Sequence, residues 1–529
     1  MVRVVLAIFL IVLMTNPIAA QGAIRASDKG RPPAKPVINI LVDGKGDWIV
    51  RYQFDRPINR MAFDRSPDAS RTKTWGAPPG FHIFRQVIGD QSGDEVVSRI
   101  DGKRFRQVDL RIPPLYRDLP SDYAPFAPFG DGSILFYTGR LFACAPLCSI
   151  DDKELWRMRL IVRDKRRILL NGQTFSDGVQ WLDSDGGRYV YIGDGKLTDA
   201  GVVNAVIDRA LPDNIRLLLE QQLPMFMAYF EERLGKLESR PALFASYDAA
   251  HPGGGWGRQG GTLPGQIFTH FYGNHWPVEF AKPDFANDLA WHFAHEAGHL
   301  YQRGIATENA RGWWIHEGGA EAFAAIALRD SGTSQADYVA QRIASARQSC
   351  ATLLRDTSLH LATSRQNNTP AYQCGLLVNL ALDAALKKQK PTGDGLYAVW
   401  RVYLARKANK QSTDEAAFLA SVAEVGGKAV ANKLALLLDT PKPDFDLVVN
   451  WAREVQRGSR RSCWASRRSA CQRWMSCCVH PVWPPVPVVE QLSGKPLASR
   501  AASSIPAARL AQVRFAAVGA TVRSAFGIR

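Results

Sequence analysis

The chain has 529 residues, 46% of them hydrophobic and 22% charged, with a formal charge of +16. That length allows two or three domains with sizeable buried cores, and the composition excludes a disordered chain. The charge is uneven: residues 456–529 hold twelve Arg or Lys against Glu490 alone, net +11, which leaves only +5 for the preceding 455 residues, so nucleic acid is not an expected partner of the body.

In chain order, Met-Val-Arg3 precedes an apolar run from Val4 to Met14 that closes on Pro17-Ile-Ala-Ala20. This is the pattern of an export signal with small residues before its cleavage point. A membrane anchor is the rival reading, but the run is shorter than the roughly 20 residues a membrane-spanning helix needs. Residues 1–20 are therefore expected to be removed, leaving no membrane span in an exported protein, periplasmic or secreted, that begins near Gln21.

A polar linker follows over 21–36. From Val37 to about residue 198 the pattern predicts a β-rich domain: Trp48 to Phe54 alternates apolar and polar positions, and Ile134–Tyr137, Met158–Val162 and Tyr189–Ile192 read as further strands between Gly, Asp and Pro turns. The period changes from Asp199. Asn214 to Leu234 predicts an amphipathic helix interrupted at Pro224, then Ala242–Tyr247 and Gln266–Phe271 predict strands, and helices dominate to about Val455. The basic tail, 456–529, contains three Trp, no Asp and no sustained period. A disordered extension, a small disulfide-bonded module and a shifted reading frame near Val455 all fit it.

The body holds Cys144, Cys148, Cys350 and Cys374. In an exported protein they can form disulfides. Sequence-local pairing joins Cys144 to Cys148 and Cys350 to Cys374; two other connectivities remain open, and free buried thiols are the alternative to any pairing.

Seven of the ten histidines lie between His251 and His316, and two of them carry the strongest chemical signal. His295 and His299 are four apart, so on a helix they point at one spot and can share a metal. Glu296, one residue on, sits beside such a metal without binding it, where a carboxylate can take a proton from water. Glu317 follows His299 by 18 positions at the start of a helical pattern running to about Leu328. Two histidines and one carboxylate make the open site that catalytic Zn2+ uses. Glu321 lies one turn further along the same face and can orient a ligand histidine. His292 reads as a structural neighbour of the site, and His316 as a position that could touch substrate or metal.

The Trp314-Ile-His-Glu317-Gly-Gly-Ala-Glu-Ala-Phe323 segment, after the His295 to His299 motif, resembles the second motif of the gluzincin metallopeptidases, the clan of aminopeptidase N and the glycyl aminopeptidases. The resemblance covers roughly residues 37 to 440. It implies an α+β fold: an N-terminal β-rich domain, a thermolysin-like mixed catalytic domain over 199–455, and a helical C-terminal part. It also implies zinc-dependent hydrolysis of peptide bonds by a metal-activated water, with Glu296 as general base and a peptide or protein as substrate. Pro370-Ala-Tyr372-Gln-Cys-Gly375 resembles the helix start whose tyrosine stabilises the oxyanion, so Tyr372 inherits that role, with Cys374 in place of a lysine. Gly260, Gly261, Thr262 and Leu263 stand where relatives carry a glycine-rich edge strand that binds substrate backbone. Aminopeptidases of this clan place a glutamate there for the substrate's free amino group, and Gly260 to Phe268 contains no acid. An endopeptidase, or an exopeptidase using another carboxylate such as Glu279 or Asp284, fits equally. The alternative reading is a catalytically inactive peptide- or glycan-binding protein on a peptidase-like fold.

Overall fold

The computed structural model describes residues 33–443, apart from 45, 89–90, 120–121, 149–154, 185, 196, 200, 252–254, 306–309, 332–335 and 365–366. The export signal, most of the linker and the basic tail lie outside the described residues. Among the described residues no helix is long and apolar enough to cross a membrane.

The chain forms two compact units, and they do not follow chain order. Among the described residues, the first takes those up to Leu115, Ile134–Leu170 and Thr174–Gly193; the second takes Tyr116–Ser133, Asn171–Gln173 and those from Asp194 on.

The first unit is built of strands. In one sheet, Val37–Val42 lies parallel to Trp156–Val162 and antiparallel to Trp48–Ile58, with Gly178–Asp183 and Phe105–Ile112 at the edges. Ile38, Ile40 and Val42 are buried while their neighbours are more exposed, as the two-residue period of a half-buried strand requires. Ile134–Tyr137 and Tyr189–Gly193 pair with each other and are buried at every position, which fits their unbroken apolar sequences. The Cys144–Cys148 disulfide forms.

In the second unit, Asn204–Ile207, Ala242–Asp248 and Gln266–Tyr272 form a parallel set, and Gly257–Leu263 adds an antiparallel edge strand. Two side chains pin the 116–133 excursion to this unit. Gln259 accepts from the Ala124 N–H at 2.9 Å and donates to the Asp122 carbonyl at 3.2 Å. Asp208 accepts from the N–H groups of Gly130, Ala210 and Tyr247 at 2.8–3.0 Å.

Two helices differ from their sequence expectation. Asp213–Leu234 runs through Pro224 instead of breaking there. An internal proline costs a helix roughly 3 kcal/mol, and burial of Leu223, Phe226, Met227 and Phe230 beside it offsets that cost. The helix that carries Glu317, Trp313–Asp330, begins four residues before that glutamate, because Trp314 and Ile315 are already core residues.

Backbone contact fixes the glutamate helix, Trp313–Asp330, against the tyrosine helix, Thr369–Gln389. A Cβ added at Gly318 would lie 2.5 Å from the Gly375 backbone, and one added at Gly375 would lie 2.9 Å from the Gly318 Cα. Asn379 Nδ2 bridges the same helices, donating to the Trp314 and Gly375 carbonyls. The Cys350–Cys374 disulfide ties Ala336–Leu353 to the tyrosine helix, so Cys374 serves as a staple. Gly318→Val is expected to force the helices apart and to destabilise the protein by at least the roughly 1–3 kcal/mol of core overpacking. Thermal unfolding measures this, and an unchanged midpoint would contradict the close contact.

Candidate metal centre

The Phe285–Tyr301 helix has a nearly continuous apolar inner face, so packing buries its polar motif as well: His295 is 4% exposed, His299 6% and Glu296 0%. The glutamate helix approaches across Gly298, where a Cβ would meet Phe323 at 3.3 Å. This brings Glu317, itself buried, over the two histidines.

Three ligand atoms converge. His295 Nε2 and His299 Nε2 are 2.9 Å apart, and Glu317 Oε2 is 3.5 Å from the first and 3.3 Å from the second. Among the described residues this is the one such cluster of His, Cys, Asp and Glu able to hold a metal. Two neutral imidazole nitrogens presenting lone pairs to each other repel unless a proton or cation lies between them. Tetrahedral zinc with ligands at 2.0–2.2 Å sets ligand–ligand edges of about 3.3–3.6 Å; the two separations to Glu317 fall in that range and the His–His one lies just below it. The donor set therefore fits zinc.

The far nitrogen of each histidine is also placed. His299 Nδ1 is 2.8 Å from Gln302 Oε1, while Gln302 Nε2 donates to the His316 carbonyl at 2.8 Å. With its amide fixed that way, Gln302 accepts from Nδ1–H and leaves the His299 Nε2 lone pair facing the centre. His295 Nδ1 lies 3.1 Å from Glu321 Oε1, and Trp291 Nε1 donates to Glu321 Oε2 at 2.9 Å. Glu321 thus stands within ion-pair distance of the far nitrogen of His295. Gln302 carries no motif signal in the sequence beyond its place on the same helical face as His299, three residues later.

The field of the site favours positive charge. Burial presses His295 toward its neutral form, but Glu317 and Glu321 outweigh burial and raise its pKa to about 10. Burial likewise pushes Glu317 up, and the facing histidines overcome it and hold the carboxyl well below its usual range. The carboxylates that favour a proton on His295 equally favour a divalent cation. Tyr372 stands over the same place, its ring 5.9 Å from His295 and nearly parallel to it. Burial first, then the Glu317 charge, keeps its phenol well above the ordinary value, so it is a hydrogen-bond donor at neutral pH. His316 stacks on His299 at 4.4 Å with Nδ1 3.4 Å from Glu317 Oε1.

The strand residues divide. Thr262 Oγ1 donates toward Glu296, 2.7 Å from Oε2 and 2.9 Å from the backbone carbonyl. Gly260 leaves room for His292, whose Nε2 would stand 2.8 Å from an added Cβ, and Gly261 leaves room for the Tyr123 hydroxyl. Leu263 is buried in the core. Glu279 is engaged with Lys282 and His275, and His270 with Ser246.

No protein-family model matches the chain, and no curated protein matches it. Among solved structures it is similar to an M1 zinc metallopeptidase from Deinococcus radiodurans, with 12% identity and a TM-score of 0.43 over 78% of this chain and 96% of that one. It is also similar to native yeast LTA4 hydrolase, with 12% identity and a TM-score of 0.47 over 76% of this chain and 67% of that one.

Proposed function

We propose that the protein is a zinc-dependent hydrolase of peptide bonds. The observation that carries this reading is the convergence of His295 Nε2, His299 Nε2 and Glu317 Oε2 within 3.5 Å, beside a fully buried Glu296 that is not part of the ligand set. Bound by these three residues, zinc supplies Lewis acidity and brings the pKa of water down to about 7. Glu296 takes a proton from the attacking water and later gives it to the leaving amine. Tyr372, a neutral phenol, donates to the oxyanion that develops on the peptide carbonyl. The two disulfides suit an oxidising compartment, in keeping with export to the periplasm or beyond the cell.

The edge strand bears on the substrate. Gly257–Leu263 carries Arg258 and no acid, so it offers a substrate's free ammonium group no partner. Peptides with an acetylated amino terminus are therefore expected to be cleaved at least as fast as the free ones. The test is a panel of paired free and acetylated peptides, run with the metal content of the purified protein, and repeated after chelation and zinc restoration. Hydrolysis that tracks zinc occupancy supports the reading; a zinc-free protein, or cleavage indifferent to chelator, would falsify it. A strict requirement for a free amino terminus would overturn the substrate preference alone.

A further inference from the structure

The edge strand and the His295 helix meet in a matched register. Arg258, Gly260 and Thr262 alternate onto one strand face, and Asp288, His292 and Glu296 stand four apart on one helix face. The three pairs face one another in order. Arg258 Nη1 is 3.7 Å from Asp288 Oδ2, His292 fits against the bare Cα of Gly260, and Thr262 Oγ1 is 2.7 Å from Glu296 Oε2. The register delivers a hydroxyl to one oxygen of the proposed base.

We infer that Thr262 is a positioning residue for Glu296, holding Oε2 so that Oε1 is the atom that accepts the proton; the inference rests on the zinc-hydrolase reading. The two carboxylate oxygens are inequivalent. Oε2 carries the Thr262 bond, whereas Oε1 is buried, takes no hydrogen bond and lies 3.6 Å from His292 Nδ1. The last torsion of a glutamate is broad and roughly two-fold, so packing alone defines the carboxylate plane poorly. A short, charge-assisted bond to one oxygen defines it well.

The hydroxyl also suits both protonation states of the base. Its single hydrogen has two acceptors within reach, Oε2 and the Glu296 backbone carbonyl. While Glu296 is ionised, the hydrogen points at Oε2. In the reaction an O–H bond of water breaks and its proton goes to Oε1. The water oxygen bonds to the peptide carbon, and the carbonyl π pair moves onto oxygen. The proton then passes from Oε1 to the amine nitrogen as the C–N bond breaks, its electron pair returns to nitrogen, and the oxyanion pair re-forms the C=O bond. Throughout, Thr262 remains a satisfied donor, to Oε2 or to the backbone carbonyl, with no heavy atom displaced. Valine has the same shape and none of this capacity.

The test compares Thr262→Val and Thr262→Ser in the full chain, alone and with Glu296→Gln, by steady-state kinetics on one acetylated peptide, zinc content and thermal unfolding. Because misplacing a reacting group by about 1 Å can cost about 10²-fold, Thr262→Val is expected to lose roughly 10- to 100-fold in kcat, with KM and zinc content nearly unchanged. Thr262→Ser should restore most of that loss. In the Glu296→Gln background Thr262→Val should change nothing further, since a residue that acts through Glu296 has nothing left to position. Should Thr262→Val shed zinc or unfold, Thr262→Ala carries the same expectation without the branched side chain. Wild-type kcat in the variant that folds, a loss confined to KM, no rescue by serine, or a loss that persists without Glu296 would each overturn the assignment. Absence of zinc-dependent hydrolysis in the wild type, or full activity of Glu296→Gln by itself, would instead remove the underlying reading.

Discussion

Glu296→Gln is expected to abolish most of the activity while leaving the fold and the metal in place. Positioned proton transfer contributes typically about 10²–10⁴-fold, and a neutral amide cannot take a proton from water. The substitution keeps size and shape, and glutamine's oxygen can still accept from Thr262, which bonds Glu296 at 2.7 Å. Glu296 is outside the cluster of His295, His299 and Glu317, so zinc content should match wild type. The fall should appear in kcat, because the lost interaction belongs to the transition state and not to binding. Steady-state kinetics with parallel metal analysis checks this. An amide variant as fast as wild type would assign the base elsewhere, and one that loses its zinc would mean that Glu296 is a ligand.

The sequence made the centre legible and hid most of what supports it. Positions four apart on a helix are geometrically bound together, so His295 and His299 could be paired without a structure, and the carboxylate at Glu317 followed from the chemistry of an open zinc site. Strands such as Ile134–Tyr137 and Ala242–Asp248 were readable because their apolar runs end on turn residues. The bond from Thr262 to Glu296 joins residues 34 apart, and the Gly318–Gly375 contact joins residues farther apart still; both depend on how finished elements pack. The 116–133 excursion shows the same limit. It reads locally as part of the β-rich stretch, yet Gln259 and Asp208 bind its backbone into the second unit. Pro224 is a case where packing overrode a strong local signal. For the cysteines, four residues allow three pairings, and the fold selects the local one by placing Cys374 beside Cys350.

Glu317→Ala should cost more zinc affinity than any change to the residues that merely orient the histidines. Removing an orienting partner such as Glu321 or Gln302 leaves the three donor atoms present and typically costs roughly 10–100-fold in metal affinity or activity. Removing Glu317 takes away the negative ligand itself. What remains is a pair of imidazole nitrogens 2.9 Å apart, an arrangement that attracts a cation only through its lone pairs. A buried dication needs compensating charge close by, and Glu317, 7% exposed, supplies it at the point where the three donors meet. Glu321 contributes from the far side of His295, a longer path with Trp291 already drawing on its second oxygen. Glu317→Ala is therefore expected to bind zinc more than about 10²-fold more weakly than wild type, and Glu321→Gln to fall within the orienting range. Competition titrations with a chromophoric chelator rank the variants, and circular dichroism verifies that each is folded. If Glu317→Ala held zinc as well as Glu321→Gln, the carboxylate would not be a ligand and the centre would have to be rebuilt around the histidines alone.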